Sequence, residues 1–126
     1  MDKKILIADD EKNTLDLLEK SLSRYGFEVI TACDGLEAKD KILQEKPEAI
    51  VLDLIMPNLD GWGVLQWLKN EAKLDTPVII LSAKGELDSM KRGYNLEADT
   101  YLVKPVDIDE LLAGIRAACS LRQEHT

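Results

Sequence analysis

The chain has 126 residues, which is enough for one compact domain and too few for two of ordinary size. Its net charge of −8 and sequence pI of about 4.6 argue against direct contact with nucleic acid, which needs clustered Lys and Arg. No apolar run approaches the roughly 20 residues of a membrane span, and no secretory signal follows Met1–Lys4, so we expect a cytoplasmic protein without membrane contact.

The two cysteines, Cys33 and Cys119, do not have the spacing of a metal site or a redox motif. Two thiols also do not make a disulfide framework. We expect both to be small core or helix residues in a reducing cytosol.

Five short aliphatic runs recur along the chain and predict five β-strands. Most of them lack a two-residue alternation of apolar and polar side chains, which is typical of strands covered on both faces. In chain order the runs are Ile5–Ala8, Val29–Ala32, Ala49–Leu54, Val78–Leu81 and Tyr101–Val103.

Apolar residues at spacings of three and four lie between and after these runs and predict five helices. Gly26 should stop the first helix, and Pro47 follows the end of the second. Asp107 and Glu110 stand at the cap and third position of the last helix, which extends to about Leu121. The marker residues are Leu15, Leu18, Leu22 and Tyr25; Ala38 and Ile42; Val64, Leu65 and Leu68; Leu87, Met90 and Tyr94; and Ile108, Leu111, Leu112, Ile115, Ala118 and Cys119.

Alternating strands and helices predict an α/β fold with a parallel sheet, right-handed crossovers and helices on both faces. The length suits a flavodoxin-like, doubly wound (βα)5 domain with a central five-stranded sheet in the order 2-1-3-4-5, and excludes an eight-stranded barrel. We expect this domain to cover residues 1–121, followed by a short polar tail at 122–126. Ligands of such sheets bind beyond the carboxyl ends of the strands.

Polar residues stand at four of these strand ends. Asp9 and Asp10 follow the first strand, Asp53 the third, Ser82 the fourth and Lys104 the fifth. A single Asp at a strand end is usually a turn or cap residue. Because the first, third, fourth and fifth strands are neighbours in the predicted order, three carboxylates, a hydroxyl and an ammonium should converge on one rim.

This set of groups points to phosphoryl transfer. Three carboxylates in one concavity need a hard divalent cation, and a site with few protein oxygens suits Mg²⁺. Lys104 adds a point charge for a phosphoryl oxygen, and Ser82 and the amide of Ala83 add hydrogen-bond donors. A carboxylate can itself be the nucleophile and form an aspartyl phosphate.

At these residues the sequence resembles the receiver domain of two-component response regulators, the CheY-like family, over nearly all of the chain. Each motif alone is weak evidence for this family, whereas all of them together, in this order and at compatible spacing, are specific for it. The motifs are Asp9-Asp10, Asp53 with the loop to Gly61, Ser82-Ala83, Tyr101 and Lys104-Pro105.

The resemblance implies that Asp53 accepts a phosphoryl group from a sensor histidine kinase or a phosphotransfer protein in a Mg²⁺-dependent reaction. Asp10, Asp53 and the backbone carbonyl of Ile55 would ligate the ion, and Asp9 would act through a bound water. Mn²⁺ is the alternative ion. Lys104 would pair with the carboxylate at rest and with the phosphoryl oxygen afterwards.

The resemblance also implies a switch. Ser82 and the amide of Ala83 would contact the phosphoryl group, and Tyr101 would rotate into the space that Ser82 leaves. From the residues alone, Tyr101 is an ordinary half-buried strand tyrosine. In the family the lysine precedes a cis proline, here Pro105. The surface of the fourth helix, fifth strand and fifth helix would then control an output protein or an effector domain.

Two other functions use similar features, and a third is rejected. An aspartate-nucleophile phosphohydrolase typically has a second Asp two positions after the nucleophile, where this chain has Ile55. A phosphorylation-independent scaffold would be expected to have lost an acidic residue or Lys104, and all are present. A flavin-binding protein needs a phosphate-cradling loop after the first strand, where Asp9 and Asp10 repel anions. We therefore expect a switch rather than a turnover enzyme.

Fewer residues in the sequence bear on the oligomeric state and the output surface than on the phosphorylation site. Thr100 and Gly114 stand where a dimerising subfamily has paired charges, so we expect a monomer or a weak, phosphorylation-dependent dimer. Lys84, Lys91 and Arg92 near the fourth helix are either a solvated face or part of the partner-binding surface. The sequence leaves open whether the chain acts alone or as the receiver of a longer regulator.

Overall fold

The computed structural model describes residues 3–83, 85, 86 and 98–124, with the backbone alone for residues 121–124. Its parallel five-stranded sheet has the predicted strand order β2-β1-β3-β4-β5. The elements are β1 (Lys4–Ala8), α1 (Lys12–Ser23), β2 (Glu28–Ala32), α2 (Gly35–Glu45), β3 (Ala49–Asp53), α3 (Gly61–Asn70), β4 (Val78–Ala83), β5 (Thr100–Lys104) and a C-terminal helix (Ile108–Glu124).

The sheet is covered by helices on both faces. Leu6 and Ala8 of β1 belong to one apolar cluster with α2 and α3, whereas Ile5 and Ile7 belong to another with α1 and the C-terminal helix. Every residue of β3 is buried. The uninterrupted apolar runs of these central strands are therefore explained by burial on both sides.

The two edge strands depart from that prediction. Val29, Ile30 and Thr31 in β2 are only partly buried, and Val103 in β5 keeps 45% of its surface exposed. An edge strand has a neighbour on one side only, and the described helices do not cover it fully. An apolar run in the sequence thus predicted the strand, and it did not reveal how much of that strand is covered.

Helix α1 is shorter than its apolar spacing predicts. It ends at Ser23, and Tyr25, expected on its buried stripe, is 50% exposed. The N–H groups of Tyr25 and Gly26 donate to the carbonyls three residues earlier, at 3.0 and 3.1 Å, which tightens the chain at the helix end. Gly26 then adopts a φ of 89°, which ends the helix as predicted.

The C-terminal helix begins as predicted and ends later. Oδ1 of Asp107 accepts a hydrogen bond from the N–H of Asp109 at 3.1 Å, so Asp107 caps the first turn. The helix continues to Glu124, and residues 122–124 of the predicted tail are helical. The domain boundary at residue 121 stays a prediction.

The two cysteines differ in their surroundings. Cys119 is buried in the C-terminal helix, as predicted. The prediction was wrong for Cys33, which is exposed in the loop after β2, where its N–H donates to the Glu37 carboxylate at 2.8 Å. Both thiols are free.

The fourth predicted helix, marked by Leu87, Met90 and Tyr94, lies outside the described residues, as do Lys84, Lys91 and Arg92. Within the described part of the chain, no helix combines the length and apolar character that crossing a bilayer requires.

Candidate functional site

Three carboxylates meet at the carboxyl end of the sheet. Asp9 directly follows β1 and Asp53 is the last residue of β3, which is the neighbour of β1. Asp9, Asp10 and Asp53 each offer an oxygen, and these oxygens all lie within 4.8 Å of one another. Asp9 and Asp53 are buried and Asp10 is exposed. The strand order thus brings together the acidic residues that the sequence singled out.

The Lys104 ammonium lies between the two buried carboxylates. Its Nζ is 2.9 Å from Oδ2 of Asp9 and 3.1 Å from Oδ2 of Asp53. The other oxygen of each carboxylate accepts a backbone N–H: Asp9 from Glu11 at 2.9 Å and Asp53 from Ile55 at 3.4 Å. The two buried carboxylates therefore share the Lys104 ammonium, and the exposed carboxylate of Asp10 lies beside them.

This imbalance is reflected in the protonation of the site. Burial raises the pKa of Asp53 to about 6, the negative charge of Asp9 adds to the rise, and Lys104 opposes it. Burial alone would lower the pKa of Lys104, but hydrogen bonds and charges from Asp9 and Asp53 outweigh it and raise the pKa above its ordinary value. A further positive charge at this site would lower the pKa of Asp53 again.

The donor set fits Mg²⁺. Carboxylate oxygens are the ligands that this ion prefers, and it keeps several waters when bound to proteins. The exposed Asp10 borders solvent, which leaves room for those waters. Ile55, whose carbonyl is predicted to join, lies two residues after Asp53 and is 47% exposed. The individual ligand assignments stay predictions.

The Ser82 hydroxyl lies at the same end of the sheet as the three carboxylates. Ser82 is fully buried, and within the described residues its Oγ has no hydrogen-bond partner. Leaving a buried hydroxyl unpaired costs about 1–3 kcal/mol, and such groups are rare in native proteins. The residue lies on β4, the neighbour of β3, one position beyond the level of Asp53.

The amide of Ala83, expected to contact a phosphoryl group, already has an acceptor. It donates to Oε2 of Glu86 at 3.3 Å. A carboxylate oxygen therefore takes the hydrogen bond that the resemblance assigns to a phosphoryl oxygen. The sequence analysis did not identify Glu86, which stands four positions after Ser82 and so lacks the spacing of a capping box.

Tyr101 is half-buried, as expected of a strand tyrosine. Its hydroxyl accepts a hydrogen bond from the N–H of Ala98 at 2.9 Å, and its ring centroid lies 6.2 Å from that of Trp62. Trp62 is the second residue of α3 and is buried. Rotation of Tyr101 towards Ser82 stays a prediction. The Lys104–Pro105 peptide bond is cis, as the resemblance implies.

The loop that follows Asp53 is held by residues whose roles the sequence analysis missed. Asp60 caps α3, since its Oδ1 accepts the N–H of Gly63 at 2.8 Å. The N–H of Gly61 donates to the carbonyl of Leu54 at 2.9 Å and closes the loop onto the end of β3. Asp-Gly before an apolar helical pattern is a recognisable helix start, and it could have been found.

A groove of about 330 Å³ is lined in part by Lys104. Leu17 of α1, on its border, is 65% exposed, which is a large exposure for a leucine beside a polar site. The lining residues are Glu11, Thr14, Leu17, Leu18, Leu81, Lys104, Pro105 and Val106.

Comparisons of this chain with known proteins all point to the same family. Residues 5–116 match the family model described as the response regulator receiver domain. The chain is 45% identical over 114 residues to a probable transcriptional regulator ycf27 of Guillardia theta, covering 90% of this chain and 44% of that protein. It is 44% identical over 117 residues to the alkaline phosphatase synthesis transcriptional regulatory protein PhoP of Bacillus subtilis, covering 93% and 48%.

Among solved structures, a response regulator receiver domain protein from Clostridium thermocellum superposes with a TM-score of 0.85 at 31% identity. That match covers 98% of this chain and 99% of the other. By contrast, the chain spans about half the length of the curated relatives that it matches.

Proposed function

The chain belongs to the response regulator receiver domain family, the phosphorylation-dependent switches of two-component signalling, and on that premise we propose that Asp53 is its phosphoacceptor. The observation that supports this most strongly is the position of its carboxylate, 3.1 Å from the Lys104 ammonium and within 4.8 Å of the oxygens of Asp9 and Asp10. A phosphoryl group on Asp53 would therefore lie beside the Lys104 ammonium and beside the carboxylates that we propose hold a cation.

We assign Asp10, Asp53 and the Ile55 carbonyl as the ligands of Mg²⁺, with Asp9 holding one of its waters. When bound, the ion supplies the positive charge that neutralises a transferring phosphoryl group. Mn²⁺ suits the same oxygens and is the alternative ion. Asp9 directly follows β1 and Asp53 ends β3, so neighbouring strands fix the separation of these two, whereas Ile55 lies in the loop after β3.

Asp53 is the nucleophile in this assignment. Its pKa of about 6 leaves it ionised at neutral pH and more basic than an ordinary Asp. One oxygen forms a bond to phosphorus as the bond from phosphorus to the donor's imidazole nitrogen breaks, and that nitrogen keeps the electron pair. Lys104 then moves its hydrogen bond from the carboxylate to a phosphoryl oxygen, and Ser82 Oγ gains an acceptor.

Phosphorylation would also rearrange the start of the segment after β4. The N–H of Ala83 exchanges its hydrogen bond with Glu86 for one with a phosphoryl oxygen. Ser82 moves towards the new group, and Tyr101 turns into the space it leaves. This local change in charge and packing is the signal, so Asp53 is modified rather than acting as a turnover catalyst on a separate substrate.

The donor we propose is a sensor histidine kinase or a phosphotransfer protein in the cytoplasm. Because the Asp53 side chain is only 9% exposed, a phosphohistidine must enter the rim, and its protein must contact the surface around it. The groove beside Lys104, with exposed Leu17, offers an apolar border for that contact. The output is an effector domain or a separate protein that reads the surface around Tyr101, and the chain is a monomer or weak dimer.

The test is intact mass after incubation with acetyl phosphate, with and without Mg²⁺, beside an Asp53→Ala variant. We expect one Mg²⁺-dependent phosphoryl adduct that the variant lacks. If the adduct is too short-lived for mass measurement, saturable binding of beryllofluoride is the second test, because beryllofluoride requires the same groups. If neither appears, the scaffold function is the better supported of the alternatives; steady release of phosphate from p-nitrophenyl phosphate would instead identify a phosphohydrolase.

Replacing Lys104 with methionine should separate metal binding from phosphorylation. The substitution removes the cation that competes with Mg²⁺ for Asp9 and Asp53, so Mg²⁺ should bind about threefold or more tightly by calorimetry. The rate of adduct formation should nevertheless fall about 10- to 100-fold, since no ammonium meets the phosphoryl oxygen. An unchanged rate would contradict the role given to Lys104, and Lys41→Met, on α2, is the matched control.

A further inference from the structure

The loop after Asp53 is attached to the start of α2 by a side-chain hydrogen bond that the proposed function does not use. Nδ2 of Asn58 donates to Oδ2 of Asp34 at 2.8 Å. Asp34 is the N-cap of α2, and Asn58 lies between Asp53 and α3. The contact joins two loops at the same end of the sheet, one of which carries the proposed metal ligand Ile55.

Asp34 uses both carboxylate oxygens. Oδ1 accepts the N–H of Glu37 at 2.8 Å and caps α2, while Oδ2 is held by Asn58. The Glu37 amide, and then Asn58, hold the pKa of Asp34 below its ordinary value. The carboxylate is therefore ionised at neutral pH and orients the Asn58 amide from a rigid helix start.

Asn58 is bound in a conformation that few residues adopt. Its φ is 68°, in the left-handed region where Asn is tolerated better than most side chains. Directly after it, the N–H of Leu59 donates to the carbonyl of Pro57 at 2.7 Å, which makes a tight turn. The turn therefore fixes the direction in which the Cβ of Asn58 leaves the backbone.

The backbone of the same loop packs closely on α2. A Cβ added to Gly35, the first residue of α2, would overlap the carbonyl oxygen of Leu59 and lie 2.6 Å from its Cβ. At its two ends the loop is fixed to β3 through Asp53 and the bond from Gly61 to Leu54. Between these two ends, the loop is supported by its contact with the start of α2. The side chain of Asn58 provides the hydrogen bond of that contact.

We propose that Asn58 and Asp34 are positioning residues for the magnesium site, an inference that rests on the proposed function. Their hydrogen bond holds the loop in the shape that presents the Ile55 carbonyl, so Mg²⁺ finds this ligand in place. When the bond is lost, Mg²⁺ must order the loop as it binds, and its affinity falls. Asp53 keeps its position at the end of β3, and Asp9 and Asp10 keep theirs directly after β1.

Titration of the unphosphorylated protein with MgCl₂ by calorimetry tests this. Asn58→Asp retains tolerance for a positive φ but places two carboxylates face to face, and Mg²⁺ should bind about three- to tenfold more weakly. This direction is diagnostic, because an added negative charge would otherwise strengthen cation binding. Asp34→Asn alone should stay within about twofold of wild type, since the Asn58 amide can turn and accept its new N–H.

The double variant Asp34→Asn, Asn58→Asp restores both the net charge and a hydrogen bond with donor and acceptor exchanged. We expect it to bind Mg²⁺ within about twofold of wild type. If it binds as weakly as Asn58→Asp alone, or if Asn58→Asp binds as tightly as wild type, the proposal is wrong. Wild type that fails to bind Mg²⁺ overturns the magnesium site and this inference together.

A neighbouring hydrogen bond provides the control for general loosening. Glu37→Ala removes the acceptor of the Cys33 N–H in the same loop before α2, without touching Asn58. It should lower the thermal unfolding midpoint about as much as Asn58→Asp and change Mg²⁺ affinity by less than about twofold. Equal weakening of Mg²⁺ binding by Glu37→Ala would show that no specific positioning role exists.

Discussion

Asp53→Asn should raise the free energy of unfolding of the metal-free protein by about 2–3 kcal/mol at pH 7.5. The native pKa of Asp53, about 6, is above its ordinary value of 3.8, and each unit corresponds to about 1.4 kcal/mol. The side chain is only 9% exposed, so solvent screens little of this penalty. Asparagine keeps the shape and removes the charge.

The pH dependence has a defined sign. Because the folded state binds the Asp53 proton more tightly than the unfolded state, the stabilising contribution of this group is complete below about pH 4. It is lost as the pH rises from about 4 to 6, and it stays lost above that. The advantage of Asp53→Asn over wild type should therefore be near zero at pH 4 and complete by about pH 7.

Urea unfolding in EDTA at several pH values measures this difference directly. Asp10→Asn is the matched control, because Asp10 belongs to the same cluster but is exposed, and it should change the free energy of unfolding by less than about 1 kcal/mol. A pH-independent difference, or a less stable Asp53→Asn, would contradict the prediction. Mg²⁺ should stabilise wild type more than Asp53→Asn, since it compensates the charge that the variant lacks.

The positions of the site residues could be predicted because topology alone determines them. The apolar runs of β1 and β3 are buried on both faces, and parallel strands end at the same edge. The acidic residues after those runs, and Lys104 after β5, therefore had to meet once the strand order was fixed. No knowledge of individual contacts was needed for that part of the site.

The remaining features depend on distances between segments that the sequence does not relate. Asn58 and Asp34 are 24 residues apart in the sequence. Their hydrogen bond forms because the loop after β2 and the loop after β3 approach each other beyond the end of the sheet. Among the residues that the structure describes, Ser82 Oγ has no hydrogen-bond partner, and this feature and the exposure of Val103 depend likewise on what lies opposite the two side chains. An apolar or polar pattern indicates whether a residue prefers to be buried or exposed. These features depend instead on which residues of other segments lie next to it.

Gly61→Ala should destabilise the protein by about 2–4 kcal/mol and weaken Mg²⁺ binding at least several-fold. A Cβ at Gly61 would lie 2.6 Å from the carbonyl oxygen of Asp53 and 3.0 Å from Cα of Leu54. Both are backbone atoms of buried residues at the end of β3, so neither can rotate away. The start of α3 must shift, and with it the bond from Gly61 to Leu54 that closes the loop.

Gly114→Ala is the control in which the same chemical change makes only ordinary van der Waals contacts. Its Cβ would lie 3.7 Å from Cγ2 of Thr100 and 3.8 Å from Cδ1 of Leu102, which are ordinary contacts. Because Gly114 is inside the C-terminal helix, alanine there should stabilise the protein by about 0.5–1 kcal/mol. The two variants are thus predicted to change the free energy of unfolding in opposite directions.

Urea unfolding and Mg²⁺ titration of both variants distinguish a local clash from a general effect of adding a methyl group. If Gly61→Ala loses stability but binds Mg²⁺ normally, α3 moves away while the end of β3 stays fixed, and the loop is not part of the metal site. If it loses both, the close approach of α3 to Asp53 is what keeps the loop in its binding shape. Glycine is required at position 61 in either case, because backbone atoms occupy the space of its missing side chain.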